Sequence, residues 1–199
     1  MLKRHDSATA EHSVRVRRYA LALAKELNLS AKLKRKLGIA ALLHDVGKIA
    51  ISSDMLNKPG ALNFEERRQI EEHPNEGHRL LTTIFSDATL LAAVRGHHER
   101  FDGTGYPDGL RGDEIPYLAR IICIADCFDA LTSRRSYRTA LSFAEGLKEL
   151  QRNAGSQFDP EMVEAFVKVA PKDVVATPSF CSDLNPLCEF SDFPMSATA

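Results

Sequence analysis

Apolar residues recur at helical spacing along almost the whole of this 199-residue chain. The first stripe, over residues 10–28, contains Val16, Ala20 and Leu23, with charged residues on the other faces. No sustained alternation of apolar and polar residues with hairpin turns indicates strands. The pattern therefore predicts an all-α fold. Further helices are expected after an N-cap at Ser30, from Asn63 to a stop near His73-Pro74, within 76–98, from Pro116, over 142–152 and over 160–170.

Charge and hydropathy exclude several classes of protein. The 26 Lys and Arg residues nearly balance the 27 Asp and Glu residues, for a net charge of −1. Such a chain has no overall basic field for a nucleic-acid duplex, and its apolar runs are far shorter than the ~20 residues that span a bilayer. Four cysteines do not suggest a disulfide framework, and the first twenty residues lack a signal-peptide stretch, so a cytoplasmic protein is expected.

The helical pattern ends before the C-terminus. Residues 1–172 are predicted to form one domain, which is long enough to bury its own core without a stabilising metal. The tail, residues 173–199, carries several Pro and Ser and has no basic residue. We expect this tail to be either loosely ordered or docked through Phe180, Phe190 and Phe193.

Ionisable residues interrupt the apolar helices. His44 and Asp45 follow a Leu/Ala-rich helix, where a desolvated carboxylate needs a partner. A buried His-Asp pair satisfied by neighbouring backbone is one interpretation, and a metal site is the other. The metal site is favoured by further candidates on independent segments: His12, His73, His97, His98 with Glu99, and Asp126. Mixed imidazole and carboxylate donors suit iron, manganese, zinc or nickel, and two such ions form the standard clamp for phosphoester hydrolysis.

Several ordered motifs resemble those of the HD-GYP domain, a bacterial branch of the HD phosphohydrolases, over roughly residues 10 to 170. They are His44-Asp45-Val46-Gly47-Lys48, His97-His98-Glu99, the segment Asp102-Gly103-Thr104-Gly105-Tyr106-Pro107, and Ile124-Ala125-Asp126. The resemblance implies an HD-superfamily helical bundle with a metal site at its core. It also implies hydrolysis of the second messenger cyclic di-GMP to pGpG and/or GMP.

The resemblance extends to individual positions. It implies Asp45 as a catalytic residue that bridges two divalent ions, with iron or manganese favoured over zinc or nickel. His12, His44 and Asp126 would surround one ion, and His73, His97 and His98 the other. Family members with a third ion carry a Glu four residues before the first-helix histidine, where this chain has Ala8. A two-metal site is therefore predicted.

Four further residues are candidates for substrate binding. Lys48 matches a lysine that contacts the substrate phosphate. Arg135 and Arg138 match basic residues that bind the dinucleotide, although a solvated face remains the alternative. Tyr106 is expected either to hydrogen-bond a phosphate or a partner protein, or to pack at the base of its loop. Asp129 is interpreted as a local hydrogen-bonding acid, Cys123 and Cys127 as core residues, and His78 as a surface residue.

Two other functions stay open at this point. One is a sensor of cyclic dinucleotides, or a docking module for a signalling protein such as a diguanylate cyclase, with little turnover. The other is a phosphodiesterase for cyclic GMP-AMP. A homodimer is also left open, because the sequence does not define the oligomeric state.

Overall fold

The computed structural model describes residues 2–56, 58–133 and 140–170, with side chains described from residue 10 onward. Within those ranges the protein is helical and contains no β-strand, so the predicted all-α class is confirmed. The α-helices are α1 (Leu2–Glu26), α2 (Ala31–Leu43), α3 (Ser53–Leu56), α4 (Phe64–Glu71), α5 (His73–Leu81), α6 (Ala88–Arg95), α7 (Tyr117–Thr132), α8 (Phe143–Arg152) and α9 (Pro160–Val169). Short 3₁₀ helices cover Val46–Ala50 and Gly112–Glu114.

Helix α7 lies at the centre of the core. Ile121, Ile122 and Phe128 are fully buried, because α7 is apolar on nearly all of its faces. Helix α1 packs against α2, α7 and α9, and α6 packs against α2, α5 and α7. The middle of α1 and the polar positions of α7 are therefore brought together inside the bundle.

Sequence signals for helix starts are confirmed at two positions. The Ser30 hydroxyl accepts a hydrogen bond from the Leu33 N–H, and Asn63 forms a capping box with Glu66. These caps fix where α2 and α4 begin.

Two helix boundaries differ from the prediction. Helix α1 begins at Leu2 rather than near residue 10, because residues 2–9 contain no Gly or Pro to interrupt a helix although they lack an apolar stripe. Helix α4 ends at Glu71, near the stop predicted at His73-Pro74, but the next helix already begins at His73 and has Pro74 in its first turn. A proline is accommodated there because the first helical N–H groups have no intrahelical acceptor.

Some predictions fall on residues outside the described ranges. These are Arg135, Arg138 and the tail at 173–199. In the part of the chain that the structure describes, no helix is long and apolar enough to cross a membrane.

Candidate metal centre

Three histidines lie where helices end. The Nδ1 atoms of His44, His73 and His97 lie 2.8, 2.8 and 2.6 Å from the carbonyl oxygens of Ala41, Ile70 and Val94. These carbonyls belong to the last turns of α2, α4 and α6, where a helix leaves its final C=O groups without an N–H partner. A carbonyl oxygen can only accept, so each Nδ1 carries the proton and each Nε2 is left free as a donor of its lone pair.

His12 is oriented by a carboxylate instead of a carbonyl. Its Nδ1 lies 2.7 Å from Asp129 Oδ2, and its Nε2 lies 3.2 Å from Asp126 Oδ1. Arg15 donates to Asp129 from Nε at 2.6 Å and from Nη2 at 3.1 Å. Asp129 is 1% exposed and accepts a local bond from Ser133 Oγ at 3.2 Å, as expected of a local hydrogen-bonding acid, but it also spans from α7 to α1, which the sequence did not predict.

The seven side chains that the sequence analysis proposes as metal ligands form two adjoining groups. In each group, one ligand atom from every residue lies within 4.8 Å of the others. One group contains His12, His44 and Asp126, and the other contains Asp45, His73, His97 and His98. The elements that carry them are α1, α7, α5, the end of α2 and the segment after α6.

Asp45 lies between the two groups. Its Oδ1 is 3.3 Å from His73 Nε2 and 4.0 Å from His97 Nε2. Its Oδ2 is 3.6 Å from His44 Nε2 and 4.0 Å from His12 Nε2. Each carboxylate oxygen therefore faces a different group, which is the geometry that a bridging carboxylate requires.

Several buried atoms of the cluster lack a well-directed hydrogen bond among the described residues. His44 Nε2 and Asp45 Oδ1 are both buried without such a bond. His73 Nε2 and His97 Nε2 face each other at 3.3 Å, although the Nδ1 atoms of both rings already carry the protons. A cation between or beside such facing lone pairs would satisfy them in this buried space.

Burial and neighbouring charges determine the ionisation of the cluster. Burial lowers the pKa of His98 to about 4 and holds that of His97 well below its usual value, so both rings are neutral at neutral pH. Burial alone would also lower the pKa of His12, but hydrogen bonds to Asp126 and Asp129 outweigh it and raise that pKa to about 9. A metal at His12 Nε2 would displace this proton.

The two carboxylates remain ionised despite burial. Burial raises the pKa of Asp45, but the neighbouring imidazoles of His44 and His73 and the charge of Lys48 hold it well below the usual range. Burial acts in the same direction on Asp126, but the hydrogen bond with His12 and the neighbouring imidazole of His44 together outweigh it and lower the pKa. Anionic oxygens and neutral imidazoles together make a donor set for a divalent transition metal.

Lys48 lies at the open side of the cluster. Its Nζ donates to Asp45 Oδ2 at 2.6 Å, and about a third of the side chain is exposed (35%). It reaches this position from the 3₁₀ helix that follows His44-Asp45. The ammonium group is therefore available to both Asp45 and an incoming anion.

Tyr106 borders the cluster at His98. Its ring stacks on His98 with centroids 4.9 Å apart and planes 26° apart. Burial raises the pKa of the Tyr106 hydroxyl, which therefore stays protonated at neutral pH. Glu99, the candidate acid beside His98, points away from the cluster and accepts hydrogen bonds from its loop instead.

The remaining polar candidates do not enter the cluster. His78 is partly exposed on α5, and its ring belongs to neither ligand group. Cys123 is buried and Cys127 partly buried along α7, and neither forms a disulfide within the described residues. Arg15 was missed by sequence reasoning. Its spacing of one turn after His12 was the only available signal.

A family model for the HD domain matches residues 1–162. The cyclic di-GMP phosphodiesterase PA4108 of Pseudomonas aeruginosa is 42% identical over 168 residues, which cover 84% of this chain and 40% of that protein. The 3'3'-cGAMP-specific phosphodiesterase 3 of Vibrio cholerae is 41% identical over 160 residues, covering 80% of this chain and 35% of that protein. A solved HDG"Y"P protein from Bdellovibrio bacteriovorus superposes with a TM-score of 0.65 at 25% identity, over 80% of this chain and 51% of that one.

The chain belongs to the HD domain family, and its resemblance to HD-GYP proteins is confirmed. The chain spans less than half the length of these two curated relatives. The HD domain implies a divalent metal site, and the His/Asp cluster supplies suitable donors for one.

Proposed function

We propose that this chain hydrolyses cyclic di-GMP to pGpG and/or GMP at a centre of two divalent ions. The observation that carries the proposal is Asp45, whose two oxygens face two separate groups of imidazole and carboxylate donors. The relatives named above support a cyclic dinucleotide as the substrate class. A cytoplasmic location is part of the proposal, because the substrate is a bacterial second messenger.

The donor set fits two ions with Asp45 between them. Nitrogen and oxygen donors are mixed in both groups, which suits iron or manganese and leaves zinc or nickel as alternatives. Position 8, one turn before His12 on α1, is an alanine and offers no ligand for a third ion. The seven residues that we propose as ligands are His12, His44, Asp45, His73, His97, His98 and Asp126.

When bound, divalent ions supply an activated water nucleophile and positive charge that neutralises the phosphoryl oxygens. Asp45 would hold both ions, one through each carboxylate oxygen. Lys48, beside Asp45 and partly exposed, adds a positive charge where negative charge develops on the phosphate during attack. Tyr106 has a protonated hydroxyl that is able to donate to a phosphate oxygen. Arg135 and Arg138 are proposed to bind the distal phosphate or guanine, because guanidinium groups donate paired hydrogen bonds.

A second candidate substrate is 3'3'-cGAMP. The Vibrio cholerae relative named for that substrate is 41% identical to this chain, almost the same as the relative named for cyclic di-GMP. A sensor without turnover is less well supported, because both donor groups are complete and face a shared carboxylate.

Turnover with defined metals tests the proposal. Protein purified without oxygen and loaded with Mn²⁺ or Fe²⁺ is incubated with cyclic di-GMP or 3'3'-cGAMP, and the products are separated by chromatography. We expect hydrolysis of cyclic di-GMP to be the faster reaction. Failure of the loaded protein to hydrolyse either dinucleotide would overturn the proposed function.

The variant Asp45→Asn tests the bridging assignment. A neutral amide bridges two cations poorly, so we expect loss of hydrolysis and release of at least one ion, measured by elemental analysis. Asp54→Asn is the matched control, because it makes the same substitution at an exposed residue of α3. Full metal content with wild-type turnover in Asp45→Asn would show that Asp45 is not the bridge.

A further inference from the structure

A buried carboxylate outside the ligand cluster binds the loop at residues 102–111. Glu99 is 2% exposed, and it accepts hydrogen bonds from two backbone N–H groups of this loop. The Asp108 N–H donates to Oε1 at 2.7 Å, and the Leu110 N–H donates to Oε2 at 3.0 Å. Each carboxylate oxygen of Glu99 thus accepts a hydrogen bond from a different residue of the loop.

The loop lies directly on the segment that carries His98. A side chain at Gly105 would place its Cβ 2.6 Å from the His98 carbonyl oxygen and 2.3 Å from the Arg100 nitrogen, so only glycine permits this approach. The Tyr106 N–H donates to the same His98 carbonyl at 3.3 Å. At the exposed edge, Arg95 holds Asp108 with two bonds of 2.9 and 2.7 Å.

Because the loop at residues 102–111 lies on the segment that carries His98, the Tyr106 ring is placed on the face of the His98 ring. His44, His73 and His97 each bond a helix-end carbonyl and His12 bonds the Asp129 carboxylate, whereas the described residues show no comparable Nδ1 bond for His98. Its ring is contacted by Tyr106, His97 and His73, at centroid distances of 4.9, 4.1 and 5.0 Å. Ring packing therefore contributes to the orientation of His98.

We propose that Glu99 is a positioning residue: by fixing the loop at Asp108 and Leu110 it holds Tyr106 against His98 and so presents His98 to the metal centre. The inference rests on the proposed role of His98 as a ligand. A carboxylate is required because both of its oxygens accept, whereas an amide has one oxygen and one NH₂ group. In Glu99→Gln the NH₂ group would face a backbone N–H, and one of the two loop contacts would be lost.

Hydrogen exchange measures the loop contacts directly. In the wild type we expect slow exchange of the Asp108 and Leu110 amides, since both donate to a buried acceptor. In Glu99→Gln at least one of them should exchange roughly tenfold faster or more, because a charge-assisted bond is lost. Glu26→Gln is the matched control: this exposed residue at the end of α1 lies about 21 Å along the helix axis from His12.

Metal affinity measures the effect on His98. Titration of metal-free protein with Co²⁺, followed by its visible absorption, should show about tenfold weaker binding in Glu99→Gln, because partners that orient a ligand contribute roughly 10–100-fold to affinity. Glu26→Gln should bind as the wild type does. Altered exchange with unaltered Co²⁺ affinity and spectrum would overturn the proposal. A wild type that binds no Co²⁺ or Mn²⁺ would instead contradict the proposed function.

Two substitutions of Tyr106 keep the proposal testable if Glu99→Gln does not fold. Tyr106→Phe keeps the ring on His98 and should retain the wild-type Co²⁺ affinity. Tyr106→Ala removes the ring and should weaken Co²⁺ binding by about the same tenfold as Glu99→Gln. Equal affinities in the two Tyr106 variants would show that the loop does not act through this ring.

Discussion

At the scale of single residues, the proton of each imidazole decides what the cluster can bind. His12 differs from the other histidines because its Nδ1 partner is a carboxylate, Asp129, which is itself held by Arg15. A carboxylate partner fixes the ring orientation and makes Nε2 a more basic donor than a carbonyl partner does. Asp129 therefore supports the ligand group on the α1 side.

We predict that Asp129→Asn weakens metal binding by about 10–100-fold. The asparagine has one acceptor oxygen for three donor residues, His12, Arg15 and Ser133, so at least one of them loses its partner. Equilibrium dialysis with Mn²⁺ measures the change. Asp113→Asn, at a residue whose side chain is 96% exposed, is the control and should bind normally. Unchanged affinity in Asp129→Asn would contradict the assigned role.

Lys48 gives a kinetic prediction. Lys48→Ala should lower kcat by roughly 10²–10³ with KM nearly unchanged, because the charge acts mainly where negative charge develops during attack. Lys48→Arg, which keeps the charge, should lose less. Measuring the metal content of Lys48→Ala shows whether Lys48 acts on the phosphate or holds Asp45. If Lys48→Ala loses its ions, the ammonium serves mainly to hold Asp45.

Arg135 and Arg138 are expected to act differently from Lys48. If they grip the distal phosphate or guanine equally before and during reaction, Arg135→Ala should raise KM and leave kcat nearly unchanged. Steady-state kinetics with cyclic di-GMP as substrate measures KM and kcat separately. A fall in kcat at constant KM would place Arg135 near the reacting phosphate instead.

The sequence indicated most of the candidate cluster but not its supporting contacts. His12 could be identified because a histidine on an apolar stripe needs a partner inside the core. The Asp129–His12 contact joins residues 117 positions apart, and no local spacing reports it. Glu99 was grouped with the candidate donors because it adjoins His98, although its partners are backbone groups of a later loop.

At the scale of elements, the 3₁₀ helix Val46–Ala50 is pressed against the start of α5. A Cβ added at Gly47 would lie 1.9 Å from the His73 carbonyl oxygen and 2.4 Å from the Gly77 nitrogen. Both neighbours are backbone atoms, which cannot rotate away. The contact joins the segment that carries Asp45 to the helix that carries His73.

We expect Gly47→Ala to destabilise the protein by about 3 kcal/mol, at the upper end of what overpacking usually costs. Gly38→Ala is the control, because its Cβ would meet only the Arg17 side chain at 3.2 Å. Urea unfolding measures both variants. A Gly47→Ala protein as stable as Gly38→Ala would mean that the 3₁₀ helix and α5 separate easily.

Helix boundaries were predictable where side chains cap them and less so elsewhere. Ser30 and Asn63 are caps with local hydrogen bonds, so their residue types are enough to predict these helix starts. Pro74 is ambiguous in sequence, because a proline is compatible with both the end of one helix and the first turn of the next. The close contact of Gly47 with α5 is a tertiary property that no local pattern encodes.

At the scale of the whole molecule, the proposed ligands join segments from position 12 to position 126. We predict about two ions per chain, and a higher melting temperature when they are bound. Free metal at a hundredfold its Kd should add about 2.7 kcal/mol to stability for each site that it fills. Elemental analysis and calorimetry, with Asp45→Asn as the control, measure the two quantities. Three tightly held ions per chain would contradict the two-ion centre.

The helix-end bonds of His44, His73 and His97 bear on how quickly the centre is able to capture an ion. Each ring is held by a carbonyl three residues earlier in the chain, so its rotamer is fixed when the local turn forms. Little side-chain entropy is then left to lose at the moment of capture. Association with metal should accordingly be fast and need no rearrangement of these rings.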